Sequence, residues 1–207
     1  MSATSGQQER YALSFTSGGL LVRETQVVAS IYLSCFDWPA TRALIVDKNL
    51  LQSKTRTSSA RLTRETIQRL SVLSDSEVVF LTTASPTEQR HLLWAAACRR
   101  YDLIGEFAEE VLRERFLVLT PTISVDDYER FISAKRLWHP ELDELKPSTG
   151  RELRRTLFRM LNEAGLRSEE GAIVPAVLSE RVYDALATRA PSDIRFFPTT
   201  LPMEATR

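Results

Sequence analysis

The sequence predicts an all-α fold, a multi-helix bundle with a smaller C-terminal helical segment. Only 7 of the 207 residues are Gly and 9 are Pro, and the segments between them are rich in Leu, Ala, Arg and Glu, which favour helix. Apolar residues recur there every three to four positions, as in helices with one buried face. The chain is 43% apolar and 26% charged, which excludes disordered, collagen-like and membrane-spanning proteins.

Polar and capping residues separate the first predicted helices. Residues 1–10 are polar and are predicted to be a disordered tail. A helix is predicted over 20–36, after a Gly-containing turn. Asp37 then fits an N-cap with Pro39 in the first turn, which begins a second helix that ends near residue 47.

The next segment is basic and less regular. Residues 48–60 interrupt the apolar periodicity with Ser and Thr and are predicted to form a flexible basic loop. A helix over 61–73 follows. Ser74 and Ser85 each have the sequence pattern of a helix N-cap, and Glu88 completes a capping box with Ser85.

The middle of the chain is predicted to hold the centre of the bundle. Residues 91–97 are apolar almost all round, as in a helix surrounded by other helices. A helix over 103–119 comes next. Another begins in the acid-rich turn after Ser124 and extends to Trp138, before His139 and its following proline.

A concentration of helix breakers at 146–150 marks the best internal boundary. The helix predicted over 151–165 has leucines on one face and arginines on the other. Residues 171–178 are predicted to be a short strand or a buried extended segment, and 179–188 the last helix. This helix, extended segment, helix order favours a winged-helix-like interpretation. The predicted organisation is a disordered tail at 1–10, a helical bundle at 11–146, a C-terminal subdomain at 147–198 and a tail at 199–207.

Charge and cysteine content give limited functional information. The 27 basic and 27 acidic residues cancel, so net charge does not indicate a nucleic-acid partner. Only four of the basic residues are lysines; the arginine excess suits phosphate recognition, and a GC-rich genome would produce it as well. Cys35 and Cys98 lie in apolar patterns without CxxC spacing, which predicts buried, reduced thiols in a cytoplasmic protein without leader or membrane span.

Residue patterns typical of catalysis are missing from the sequence. It contains no P-loop, dinucleotide-binding, zinc-protease or nucleophile-elbow motif. The two histidines, His91 and His139, are interpreted as structural, and Trp38, Trp94 and Trp138 as core residues. No cluster of residues has metal-ligand spacing. We therefore expect no catalytic site, no metal and no cofactor.

Two basic clusters are the candidate binding surfaces. The first, which we call the α3 cluster, consists of Lys54, Arg56, Arg61 and Arg64. It is predicted at a helix start, where free N–H groups also attract phosphate. The second, which we call the α9 cluster, consists of Arg151, Arg154, Arg155 and Arg159, opposite a leucine stripe. A solvated helix face shows the same patterns, so both interpretations stay open.

Short sequence landmarks follow one another in a fixed order. They are Tyr11-x-x-x-Phe15-Thr16-x-Gly18-x-Leu20, Glu24, Asp37-Trp38, Arg61, Arg90-x-x-Leu93-Trp94-Ala95-Ala96-x-x-Arg99-x-Tyr101, Asp127-Tyr128-x-x-Phe131, Trp138-His139-Pro140-Glu141-Leu142 and Phe197-Pro198. In this order they resemble the BrxA family of bacteriophage exclusion (BREX) systems. The resemblance implies an all-helical protein similar to the NusB-type fold, encoded beside a BREX methyltransferase, a phosphatase-like protein and ATPases. It also implies double-stranded DNA binding without enzymatic activity, and it carries over no active-site residues.

The favoured hypothesis is a non-enzymatic accessory protein that binds double-stranded DNA mainly through phosphate contacts. One alternative is a protein-interaction subunit that docks on other BREX proteins and binds little DNA, which the zero net charge favours. The other is an RNA-binding factor, which rests on the analogy with the NusB-type fold alone.

Overall fold

Helices form nearly all of the regular structure in the computed structural model, which describes residues 10–16 and 18–200. In chain order the α-helices are α1 (Val22–Cys35), α2 (Trp38–Asp47), α3 (Arg56–Leu70), α4 (Asp75–Thr83), α5 (Pro86–Arg100), α6 (Asp102–Phe107), α7 (Glu114–Leu117), α8 (Val125–Lys135), α9 (Pro147–Glu163) and α10 (Glu180–Ala187). A π-helical segment, Ala108–Arg113, joins α6 to α7, and 3-10 turns lie at Pro140–Leu142 and Asp193–Phe196. Within the described ranges, β pairing is limited to isolated bridges. The predicted all-α fold is confirmed.

Side-chain caps begin several of the helices where the sequence predicts them. The Asp37 carboxylate accepts the Ala40 N–H at 2.8 Å, before α2. Ser74 and Ser85 each form a complete capping box, at the starts of α4 and α5. These caps satisfy backbone N–H groups that have no partner inside the helix. The predicted starts of α2, α4 and α5 are confirmed.

Two helices begin earlier than predicted. α3 starts at Arg56 rather than 61, because the Thr55 hydroxyl accepts the Ser58 N–H at 3.1 Å and caps the helix. The predicted loop over 48–60 is therefore wrong in its last five residues. α9 starts at Pro147 rather than 151, because proline at the first helical position has a suitable φ and lacks an N–H that would be unpaired there. Residues 147–150 therefore belong to α9.

Helix α5 lies at the centre of the bundle, as predicted. It packs against α1, α3, α4, α6, α9 and α10, and every residue from His91 to Cys98 is buried. The Trp94 indole N–H donates to the Phe196 carbonyl at 2.9 Å, which ties α5 to the C-terminal segment. The His91 ring lies edge-on to Phe197, with ring centroids 5.6 Å apart, and burial lowers the pKa of His91.

The residues after α8 form a corner that holds the N-terminal segment. The His139 ring is buried and stacks on Tyr11, with centroids 3.7 Å apart. The Glu141 carboxylate accepts the Tyr11 N–H at 2.7 Å and lies 3.1 Å from His139 Nδ1. His139 therefore has a packing role here, as interpreted from the sequence.

Two burial predictions are wrong. Trp138 is 70% exposed, because α8 ends at Lys135 and places Trp138 beyond the helical face that packs on the bundle. Cys35 is exposed, unlike Cys98, because it is the last residue of α1, before a left-handed Phe36. Trp38 is half-buried and stacks on Tyr32.

The C-terminal segment packs onto the bundle. Residues 171–178 form single bridges at Ala172 and Ile173 rather than a strand, and Val177 is exposed. Ala172 pairs with Thr122, which precedes α8, so the segment is not a self-contained wing between α9 and α10. The subdomain boundary near 146 stays a prediction. Of the predicted tails, residues 1–9 and 201–207 lie outside the described residues.

Candidate nucleic-acid interface

Helix α9 presents one apolar and one basic face. Leu153, Leu157 and Leu161 are buried against the bundle, while Arg151 and Arg159 are exposed on the opposite side. The helix has 17 residues and is therefore about 25 Å long. Residues four apart lie on one helix face, so Arg151, Arg155 and Arg159 form a row of about 12 Å.

Carboxylates neutralise two members of the α9 cluster. Arg154 donates to Glu129 of α8 at 2.5 Å, and Arg155 donates to Glu152 at 2.6 Å. Exposed ion pairs of this kind contribute little to stability. In the part of the chain that the structure describes, Arg151 and Arg159 have no ion-pair partner. No ion pair therefore competes with a ligand for these two guanidinium groups.

A groove with a volume of about 910 Å³ follows the basic face of α9. All four arginines of the α9 cluster line it, together with Phe158 and with residues at both ends of the helix. We call it the α9 groove. It combines four guanidinium groups and one aromatic ring with three carboxylates, those of Glu152, Glu163 and Glu169, so basic side chains outnumber acidic ones by one.

The α3 cluster is also exposed but does not line the α9 groove. Arg56 pairs with Asp47 at 2.9 Å, with both side chains well exposed. Lys54, Arg61 and Arg64 have no ion-pair partner among the described residues. The cluster lies at the start of α3, as predicted, although that start is earlier in the sequence than expected.

The C-terminal ends of the two basic helices both contact the segment that precedes α1. Arg69 of α3 donates to the Gly19 carbonyl at 2.5 Å, and the Leu20 N–H donates to Glu163 of α9 at 2.6 Å. In both helices the basic residues precede these contacts. The structure thus brings the α9 cluster into one groove, with the α3 cluster outside it.

Sequence reasoning missed the carboxylates that divide the α9 cluster into paired and unpaired arginines. Glu152 could have been found, because residues three apart on a helix are neighbours. Glu129 is 25 residues from Arg154, and no local pattern indicates that contact.

An apolar corner is exposed elsewhere on the surface. Leu137 and Trp138 are 78% and 70% exposed, directly before the buried His139. Exposed aromatic residues are enriched where proteins bind one another. This corner is a candidate protein contact that the sequence interpretation of Trp138 as a core residue did not anticipate.

Neither a metal-binding group of side chains nor a membrane-spanning helix is present among the described residues. They include no group of three or more His, Cys, Asp and Glu side chains placed to hold a metal ion. Across the same ranges, every helix is too short or too polar to cross a bilayer.

This chain is similar in sequence to proteins named "BREX protein BrxA". The chain is 24% identical over 148 residues to "BREX protein BrxA" of Escherichia coli O9:H4 (strain HS), covering 72% of this chain and 70% of that protein. It is 22% identical over 158 residues to "BREX protein BrxA" of Paramagnetospirillum magneticum (strain ATCC 700264 / AMB-1), covering 76% and 79%.

A crystal structure of an uncharacterized protein from Magnetospirillum magneticum has the same fold. Its TM-score is 0.80 at 22% identity, over 92% of this chain and 100% of that one. The family model described as BrxA matches residues 9–190. The resemblance inferred from the sequence landmarks is thus confirmed, and the chain belongs to the BrxA family.

Proposed function

We propose that this chain is a non-enzymatic, cytoplasmic accessory protein of a BREX phage-defence system that binds double-stranded DNA mainly through phosphate contacts. The α9 groove is the principal contact and the α3 cluster a second one. The observation that carries the proposal is the row of arginines in one groove, two of them without a carboxylate partner. The relatives named BREX protein BrxA support the defence role.

The geometry of α9 suits a phosphate backbone. Arginine presents a planar fork of donors that matches phosphate oxygens. The row from Arg151 to Arg159 spans about 12 Å, or roughly three base-pair steps of a duplex. Such contacts carry no sequence information, so we expect binding to duplexes of any sequence.

A salt titration tests this function. Fluorescence anisotropy of a labelled 20-base-pair random duplex is measured between 50 and 200 mM salt. Two phosphate contacts give a slope of log K against log salt of about −1.8, and four give about −3.6. Lack of binding at 50 mM salt would refute the proposal. A duplex RNA of the same sequence is the competitor, and tighter RNA binding would instead favour the RNA-binding hypothesis.

A second candidate function is docking on other BREX proteins, namely the methyltransferase, the phosphatase-like protein or the ATPases. The exposed Leu137 and Trp138 favour it, because a solvent-facing Leu-Trp pair is typical of a protein contact. Under this hypothesis, Leu137→Ala/Trp138→Ala abolishes co-purification with BREX proteins and leaves duplex binding unchanged. Co-purification at wild-type yield would contradict it.

A further inference from the structure

A second hollow adjoins the α9 groove at the C-terminal end of α9. It has a volume of about 590 Å³ and lies where the Gly18-Gly19 turn leads into α1. Asn162 and Glu163 line both this hollow and the α9 groove. Because two side chains are shared, a ligand lying in the groove can continue into the hollow without leaving the surface.

Two arginines from different helices line the far side of this hollow. They are Arg23, in the first turn of α1, and Arg90, in the first half of α5. Both are exposed, and within the described ranges neither has an ion-pair partner. No ion pair therefore holds either guanidinium group, and the carboxylates of Glu24 and Glu163 line the same hollow.

We infer that the DNA path leaves the α9 groove across Asn162 and Glu163 and ends at Arg23 and Arg90, which make further phosphate contacts. This inference rests on the proposed duplex binding. It extends the surface from one helix to three, so that α1, α5 and α9 together set the orientation of the duplex.

Glu163 is a fixed negative charge at the junction of the two hollows. Its carboxylate accepts the Leu20 N–H at 2.6 Å. A Cβ atom at position 19 would lie 2.1 Å from the carboxylate oxygens of Glu163 and would collide with them. Gly19, which has no Cβ, avoids this collision. A phosphate that crosses this point meets repulsion, and Glu163 therefore limits affinity. Glutamine at this position still accepts the Leu20 N–H and carries no charge.

Three variants test the path with the labelled 20-base-pair duplex. Arg23→Ala/Arg90→Ala is expected to make the slope of log K against log salt less steep by about 1.8, the value for two lost phosphate contacts. Glu163→Gln is expected to tighten binding at every salt concentration. Arg42→Ala/Arg181→Ala removes the same charge from exposed positions outside both hollows and is expected to keep the wild-type slope.

The outcomes separate this inference from the proposed function. If Arg151→Ala/Arg159→Ala reduces the slope while Arg23→Ala/Arg90→Ala does not, the path beyond α9 is wrong and the duplex binding stands. If Glu163→Gln leaves affinity unchanged or weakens it, the duplex does not cross the junction. If the wild-type protein binds no duplex, both the function and the path are refuted.

Discussion

Replacing Arg151 and Arg159 together by alanine tests whether the α9 groove binds phosphate. Both side chains line the groove without a carboxylate partner. Both are exposed, so their truncation is expected to change the free energy of unfolding by no more than about 0.5 kcal/mol each. A loss of DNA affinity in this variant therefore reports on binding rather than on folding.

The size of the effect follows from counterion release. If all four arginines of the α9 cluster contact phosphates, they contribute about −3.6 to the salt slope, which is a factor of about 150 in affinity between 50 and 200 mM salt. Without two of them the contribution of the cluster is about −1.8, a factor of about 12. If ion pairing keeps Arg154 and Arg155 from phosphates, the contribution of the cluster instead changes from about −1.8 to near zero. The difference of about 1.8 is the same in either case.

The assay is the anisotropy titration of a labelled random duplex at four or more salt concentrations. Arg151→Lys/Arg159→Lys is the matched control, because lysine keeps the charge and loses only the planar fork. We expect the lysine variant to retain the wild-type slope. An alanine variant with the wild-type slope would refute the assignment of the groove, as would an equal change in Arg42→Ala/Arg181→Ala.

Other predictions concern the stability of the fold and the exposed corner. Arg69→Ala leaves the buried Glu65 carboxylate without its cation and is expected to cost about 3–5 kcal/mol in urea unfolding; a loss below 1 kcal/mol would contradict this. Burial raises the pKa of Glu77, but the Arg99 hydrogen bond and other contacts outweigh it and hold the pKa below its ordinary value. Glu77 therefore stabilises the fold above its unfolded-state pKa and loses that contribution as pH falls through its folded-state pKa, so Glu77→Gln should flatten the acid limb of stability against pH. Trp138→Ala is expected to change the free energy of unfolding by no more than about 0.5 kcal/mol. A loss above 2 kcal/mol in the same assay would mean that the Trp138 ring packs against the rest of the fold.

The features predicted correctly from the sequence are those with local causes. A capping box joins residues three apart, so the starts of α4 and α5 are evident from Ser74 and Ser85. The all-round apolar pattern of 91–97 indicates a central helix whatever surrounds it. In the same way, the arginine row of α9 follows from a spacing of four residues.

The features that sequence reasoning missed depend on distant residues or on where a helix ends. The exposure of Trp138 follows from the end of α8 at Lys135, and helix ends are weakly encoded. Arg90 and Asn162 line one hollow, although they are far apart in the sequence and lie on different helices. Contacts of this kind arise from packing around α5, which periodicity alone does not reveal.

The zero net charge of the chain is compatible with a phosphate-binding surface, because charge is distributed unevenly between interior and surface. The carboxylates buried in the described residues are Glu65, Glu77, Asp127, Glu141 and Asp193. Arg69 pairs with Glu65, and Arg99 pairs with Glu77 and Asp193. Both arginine side chains are buried to a similar degree. The interior thus takes up more carboxylates than cations, and because the whole chain sums to zero, the rest of the chain carries an excess of positive charge. Composition averages over both regions, whereas an approaching duplex meets only the surface.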